Sequence, residues 1–175
     1  MPRNIEIKAR CTHPEKTLLR IQQRCPEPPQ ELNQTDYFFD SPNGRLKLRV
    51  FPDQRGELIF YQRESSSGPK PSQYEIYHTT QSQALRQVLQ QSLREGVVVR
   101  KKRLLFMAGR TRVHYDLVEG LGCFLELEVV MRPDEEIADA VLAAEELMND
   151  LGIHRENLVS GAYADMLVES ANSGI

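Results

Sequence analysis

Apolar and polar residues alternate along several segments of this chain, most clearly in Phe124-Leu125-Glu126-Leu127-Glu128-Val129. Residues two apart in a β-strand point to the same face, so Glu126 and Glu128 share one face and Leu125 and Leu127 share the other. The same alternation predicts eight strands along the chain. They are expected at 3–10, 36–40, 45–51, 57–63, 72–78, 97–107, 110–118 and 123–131.

Four further segments show helical spacing of their apolar residues. The first follows Thr12, the expected N-cap, and has Pro14 in its first turn. The stretch 26–33 after it is rich in proline and polar residues and predicts a loop. The other helices are predicted at 81–94, 135–151 and 160–168, and the second of these ends before Gly152.

Short connections join most of the strands, and Asn43-Gly44 is a strong hairpin signal. Hairpin-linked strands pair antiparallel, and eight antiparallel strands can close into a barrel that leaves no edge. We therefore predict an α+β fold, in which an eight-stranded antiparallel β-barrel (tunnel) carries amphipathic helices on its outside. Residues 1–175 are expected to form this single domain.

The charged residues collect on one face of the predicted strands. On the first strand Glu6 and Lys8 share a face, whereas Ile5 and Ile7 point the other way. The amphipathic helices need an apolar surface to pack on, which places them outside and the charged faces inside. An interior with about seven cations and four carboxylates has to hold water and ligand, because unpaired buried charge is very costly.

An interior with both signs of charge suits a metal-bound polyphosphate, in which an ion bridges phosphate oxygens to protein carboxylates. Clustered carboxylates favour Mg²⁺ or Mn²⁺, and clustered Lys and Arg favour phosphate. The alternative is an open sheet with solvent-facing charges that pair across strands. That alternative is the better interpretation of any one strand, but five such strands beside apolar helices favour the closed interior. The predicted metal ligands are Glu6, Asp116, Glu126 and Glu128.

Several short segments, in order along the chain, resemble the CYTH domain of the triphosphate tunnel metalloenzymes. The first is Asn4-Ile5-Glu6-Ile7-Lys8, which is similar to the family's Glu-x-Glu-x-Lys signature with Asn4 in place of its first Glu. A second departure is Tyr61, where many members have Lys. The other similar segments are Leu46-Lys47-Leu48-Arg49, Lys101 with Arg103, the stretch 116–128, and the stretch 160–167.

The resemblance implies a tunnel that binds triphosphates with Mg²⁺ or Mn²⁺, as in thiamine, inorganic and RNA triphosphatases and class IV adenylyl cyclases. By position it implies the same four metal ligands. It also implies a set of phosphate-binding cations on the tunnel wall. These are Lys8, Lys47, Arg49, Arg63, Lys101, Arg103 and Arg112.

Three functions fit such a tunnel. In the first, a metal-dependent hydrolase, Glu6 holds the ion, Lys8 accepts a proton or positions water, and Arg103 stabilises charge on the leaving phosphate. The second is an adenylyl cyclase that converts ATP to cyclic AMP and pyrophosphate. The third is a module that binds polyphosphate or a phosphorylated metabolite without turnover, which the amide at Asn4 motivates. The expected partner is a small-molecule triphosphate.

The composition limits the partners and the cellular compartment that we expect for this protein. The chain has 175 residues, 40% of them hydrophobic, and a formal net charge of −3, which argues against a nucleic-acid partner. No apolar run approaches the roughly 20 residues that cross a bilayer, so no membrane partner is expected. Three widely spaced cysteines match no disulfide or zinc pattern, as in a cytoplasmic protein. We expect a monomer or homodimer.

Two smaller expectations complete the sequence-based interpretation. His114 is expected on the interior face, bonded to Asp116. The loop 65–71 is expected to be an ordinary connection rather than a lid over one mouth of the tunnel.

Overall fold

The computed structural model describes residues 3–63 and 67–174. Within that part, eight strands and four α-helices follow the predicted order. The strands are β1 Arg3–Arg10, β2 Gln30–Phe39, β3 Arg45–Val50, β4 Gly56–Arg63, β5 Lys70–Thr79, β6 Glu95–Ala108, β7 Thr111–Val118 and β8 Gly122–Val130. The helices are α1 Pro14–Arg24, α2 Ser82–Ser92, α3 Ile137–Leu151 and α4 Tyr163–Ser173, with a 3₁₀ turn at Arg155–Asn157.

The strands form a closed ring in the order β1-β5-β4-β3-β2-β6-β7-β8. Each neighbouring pair is antiparallel, and β1 closes the ring between β5 and β8. The predicted α+β tunnel is thereby confirmed. The eight described strands leave no free edge, and alternate residues of each can point into the ring.

The apolar faces of β1, β7 and β8 lie outside the ring, as predicted. Ile7 and Leu127 are fully buried there, against Ile21 of α1 and Ala144 and Leu151 of α3. A second apolar cluster packs α4 against the ring, and it contains Val99, Val118, Phe124, Tyr163, Ala164 and Met166. The helices therefore cover the apolar outer faces of these strands, and charged side chains point into the ring beside a few apolar ones such as Ile59 and Val99.

Most element bounds lie within two residues of the predicted ones, but β2 and α4 differ by more and α1 has another N-cap. Strand β2 begins at Gln30, inside the predicted loop 26–33, because its first residues pair with β6, starting with Gln30 opposite Leu105. The N-cap of α1 is His13 rather than Thr12, and it makes no side-chain capping bond. Helix α4 begins at Tyr163 and extends past the predicted end.

The left-handed conformation of Gly152 (φ 66°) ends α3 as predicted. Among the described residues, no helix combines the length and apolar character needed to cross a membrane. Residues 65 and 66 of the predicted loop 65–71, and the side chain of Arg63, lie outside the described part of the chain.

Candidate functional site

The ring encloses a cavity of about 430 Å³, a size usual for small-molecule sites. All eight strands contribute inward-facing residues to it. Among the described residues, eight cationic side chains line the cavity: Lys8, Lys47, Arg49, Arg55, Lys70, Lys101, Arg103 and Arg112. Five carboxylates line it with them: Glu6, Asp36, Glu57, Glu126 and Glu128. The predicted site residues with described side chains thus lie on the lining, except Asp116, which lies just behind it.

One cluster of potential metal ligands forms where β7 and β8 pair. The register places His114 directly opposite Glu126, and Glu128 two residues farther along β8. One ligand atom from each of these three residues lies within 4.8 Å of the other two. Glu6 is opposite Glu128 on the neighbouring strand β1. The structure therefore brings three of the four predicted metal ligands into one region and adds His114.

The charges around this cluster keep its carboxylates ionised. Burial opposes ionisation of Glu126, but Lys8 at 3.0 Å and Arg103 at 2.6 Å outweigh it and hold the pKa of that carboxyl well below its usual range. Burial likewise opposes ionisation of Glu128, whereas a protonated His114 and Arg103 lower its pKa. Burial and the charge of Arg103 lower the pKa of His114, which favours the neutral imidazole. Anionic oxygens beside a neutral nitrogen form a suitable donor set for a divalent cation.

Asp116 is fully buried and lies next to Arg103. Its two carboxylate oxygens each accept a bond of 2.6 Å from that guanidinium, and Oδ2 also accepts one of 2.9 Å from the Tyr163 hydroxyl. Burial opposes ionisation, but the charges of Arg103 and Lys101 hold the Asp116 pKa far below its usual range. This geometry orients Arg103 toward the lumen and leaves the metal-ligand role of Asp116 a prediction. The expected bond between His114 and Asp116 is wrong, since both carboxylate oxygens point elsewhere.

A cationic wall lies on β3, β2 and β6. Asp36 on β2 is opposite Arg49 on β3. Its carboxylate accepts a bond of 2.8 Å from Lys47 and bonds of 2.8 and 2.9 Å from Arg49. One carboxylate therefore fixes two cations, which leaves positive charge on the wall. Lys101 on β6 belongs to the same wall, and burial together with the charge of Arg103 lowers its pKa to about 7.

The segment that leads into α4 lies across one end of the tunnel. The Lys8 ammonium donates to the Gly161 carbonyl at 3.3 Å, and Lys70 donates to the Ser160 carbonyl at 3.0 Å. The ring of Tyr163 has the Lys8 nitrogen 3.9 Å from its centre. The tunnel is thus a cup that α4 closes at one end.

Sequence reasoning missed several residues of this site: Asp36, Lys70 and Tyr163, and the lining residues Arg55 and Glu57. Asp36 was placed at the first position of a strand predicted too short, so its face was not considered. Lys70 stands between two prolines in a segment interpreted as a loop, although it is 2% exposed in the tunnel wall. Tyr163 belongs to a helix, so no strand alternation could indicate that it enters the tunnel.

Comparison with known proteins agrees with this architecture. A family model of the CYTH domain matches residues 2–163, and the chain therefore belongs to the CYTH family. A search of curated protein sequences found no match.

Three solved structures show the same fold. PH1012 of Pyrococcus horikoshii OT3 is 17% identical with a TM-score of 0.81, over 93% of this chain and 98% of that one. A candidate adenylate cyclase of Vibrio parahaemolyticus is 17% identical with a TM-score of 0.77, over 94% and 97%. The candidate adenylyl cyclase HpAC1 of Hippeastrum is 15% identical with a TM-score of 0.67, over 97% and 96%.

Proposed function

We propose that this protein is a divalent-metal-dependent hydrolase of a triphosphate that binds inside the tunnel. The observation that carries the proposal is the division of the lining into a carboxylate cluster on β8 and β1 and a cationic wall on β3, β2 and β6. Cationic side chains outnumber carboxylates on the described lining by eight to five. An anion with several negative charges fits this surplus, and the carboxylates opposite it suit an ion bound to that anion.

The metal site would be formed by Glu6, Glu126 and Glu128, which carry anionic oxygens on neighbouring strands. A bound Mg²⁺ or Mn²⁺ would neutralise phosphate charge and lower the barrier to attack at phosphorus. A divalent cation fits this site because the carboxylates of Glu126 and Glu128 are held in the ionised form.

The phosphate oxygens would bind to Lys47, Arg49, Lys101, Arg103 and Arg112. Arg103 is held by a bidentate bond to Asp116 and reaches the lumen without further ordering, so it can stabilise charge as it develops on the leaving phosphate. Water would attack the terminal phosphorus and the bond to the bridging oxygen would break. The diphosphate part would depart with that oxygen, and the transferred phosphoryl group and water would form orthophosphate, with a proton released to solvent. We include Arg63 among the phosphate-binding residues on the basis of its sequence position alone.

Lys8 is placed to position water. Its ammonium contacts the Glu126 carboxylate at 3.0 Å and the Gly161 carbonyl at 3.3 Å. It also lies over the Tyr163 ring. A lysine ammonium held by these three contacts donates hydrogen bonds, so we assign Lys8 the role of orienting a water molecule.

The proposal is tested with a panel of ATP, thiamine triphosphate and inorganic triphosphate, each with Mg²⁺ and with Mn²⁺. Released phosphate and cyclic AMP are measured in the same reactions. HpAC1 is described as having a dominant triphosphatase activity, so hydrolysis is the reaction to test first. Cyclic AMP from ATP would make the protein a cyclase, and tight triphosphate binding without any product would make it a binding module.

Matched variants show whether the tunnel carries the activity. Glu126→Gln and Arg103→Ala are expected to abolish turnover. Arg100→Ala on the same strand as Arg103 is the control, because Arg100 is exposed on the outer face. Equal losses in all three variants would indicate a general defect rather than a role of the tunnel.

A further inference from the structure

Three polar side-chain atoms of the tunnel lining are buried without a hydrogen-bond partner among the described residues: Asn4 Oδ1, Gln34 Oε1 and His114 Nδ1. The last of these belongs to the carboxylate cluster. His114 as a whole is only 3% exposed. A buried polar atom that lacks a hydrogen-bond partner destabilises the fold, and native proteins rarely carry one without a reason.

The nearby acidic groups offer this nitrogen only long contacts. It lies 3.6 Å from Glu126 Oε2 and 3.8 Å from Glu128 Oε1. Both distances exceed an ordinary hydrogen bond of about 2.7–3.2 Å. They fit two ligands of one ion, because ligands that are each about 2.1 Å from a metal lie at most about 4.2 Å apart.

The other oxygens of both carboxylates face away from His114. Glu126 Oε1 contacts Lys8 at 3.0 Å, and Glu128 Oε2 accepts a bond of 2.9 Å from Arg112. These contacts hold the two carboxylates with Glu126 Oε2 and Glu128 Oε1 turned toward the imidazole. Glu126 Oε2 also accepts from Arg103, and a carboxylate oxygen has a second lone-pair position for an ion.

We propose that His114 Nδ1 is a ligand of the ion bound by Glu126 and Glu128, and that the site therefore favours a first-row transition-metal ion over Mg²⁺. This inference rests on the proposed metal site and specifies which ion it takes. Mg²⁺ binds oxygen ligands and retains its waters, whereas an imidazole nitrogen favours the later divalent ions. The affinity of the ligand-free protein should rise from Mg²⁺ through Mn²⁺ to Co²⁺ and Zn²⁺.

The test measures metal binding without any substrate. The purified protein is titrated with Mg²⁺, Mn²⁺ and Co²⁺ by calorimetry, and the Mn²⁺ complex is examined by pulsed electron paramagnetic resonance for coupling to a ¹⁴N nucleus. The expected result is tighter binding of Mn²⁺ and Co²⁺ than of Mg²⁺, with a ¹⁴N signal from imidazole.

A matched variant then assigns the nitrogen. His114→Gln replaces it with an amide and should weaken Mn²⁺ and Co²⁺ binding by about 10-fold or more while Mg²⁺ binding changes little, because even losing an outer partner of a ligand costs about 10–100-fold. His154→Gln, at an exposed position, is the control. Thermal unfolding of each variant shows whether it is folded. If His114→Gln does not fold, the presence or absence of the ¹⁴N signal in the unmodified protein tests the inference instead.

Two results would overturn the inference: equal affinity for Mg²⁺ and Mn²⁺, or a Mn²⁺ complex without ¹⁴N coupling. Absence of binding by any of the three ions would overturn it as well. None of these results would refute the proposed hydrolase, which is judged by release of phosphate. Conversely, a protein that binds Mn²⁺ through His114 and hydrolyses no triphosphate would refute the hydrolase and leave this inference standing.

Discussion

Replacing Lys101 with Met should stabilise the empty protein and weaken its binding of triphosphate. The Lys101 side chain is 3% exposed, and its ion-pair partner Asp116, at 3.6 Å, already accepts two bonds from Arg103. Burial and the charge of Arg103 together lower the pKa of Lys101 from 10.5 to about 7. The buried ammonium therefore destabilises the empty tunnel, and a bound phosphate would offset this cost.

The size of the effect follows from the pKa. An unfolded lysine titrates near pH 10.4, so between about pH 7 and pH 10.4 the unfolded chain holds a proton that the folded chain has released. The stability contributed by Lys101 therefore rises as the pH rises through this window, and the full cost is present below pH 7. A shift from 10.5 to about 7 corresponds to roughly 4–5 kcal/mol, at about 1.36 kcal/mol per unit. Half of that amount would raise the Tm of Lys101→Met by about 5–9 °C.

The assay is thermal unfolding from pH 6.5 to pH 9.5, with and without inorganic triphosphate and Mn²⁺. Lys101→Met should have the higher Tm without ligand, a smaller gain in Tm between pH 7 and pH 9, and a smaller shift on adding triphosphate. Lys102→Met, on the exposed outer face of the same strand, is the control. A lower Tm in Lys101→Met than in the unmodified protein, or the same pH dependence in both, would refute the reasoning.

Three further substitutions test the packing and the ion pairs. Asp116→Asn leaves the Arg103 guanidinium without its bidentate partner. It should lower kcat and reduce the free energy of unfolding in urea by about 3–5 kcal/mol, and unchanged stability would contradict the buried pair. Tyr163→Phe removes one hydrogen bond to Asp116 and should cost about 1–3 kcal/mol by the same measurement, and a neutral result would mean that water replaces the hydroxyl. Leu127→Ala should cost about 2–5 kcal/mol in chemical unfolding, because Leu127 is fully buried outside the ring, and a negligible loss would contradict helix packing there.

Strand alternation was sufficient to predict most of the tunnel lining, whereas the closed ring was expected from the hairpin connections and the apolar outer faces. Side chains two residues apart on a strand share a face, because the side-chain period of a strand is two. This local geometry alone pairs Glu126 with Glu128 and Lys101 with Arg103. The position of the helices followed from the same argument, since the outer face is mostly apolar. The predictions of the lining and of the helices needed no knowledge of which strands are neighbours.

The missed features depend on contacts between distant parts of the chain. Tyr163 reaches Asp116, 47 residues away, only because α4 docks on the ring. Lys70 enters the wall because β5 begins there and pairs with β1, which places Lys70 opposite Glu6. Register and docking are set by the whole fold, so the pattern within one segment cannot reveal them.

Side-chain length explains why four carboxylates that each contact a cation differ in role. Asp36 and Asp116 are each opposite an arginine, Arg49 and Arg103, and their side chains are 3% and 0% exposed. Glu126 and Glu128 have side chains 17% and 20% exposed, on the lumen side of the wall. An aspartate is one methylene shorter, so it stays at the wall and orients a cation, whereas a glutamate reaches the lumen.

Because the two side chains differ in length, the buried aspartates and the glutamates at the lumen have different roles. The buried aspartates fix guanidinium groups in place before any ligand arrives, so the cations need little reordering when phosphate binds. The longer glutamates keep oxygens at the surface of the cavity, where an ion can reach them. Exchange of the two lengths at one position, Asp116→Glu, should therefore disturb Arg103 more than the metal site: triphosphate affinity should fall while Mn²⁺ affinity measured without substrate stays near that of the unmodified protein. A larger loss of Mn²⁺ affinity than of triphosphate affinity would instead return Asp116 to the role of metal ligand.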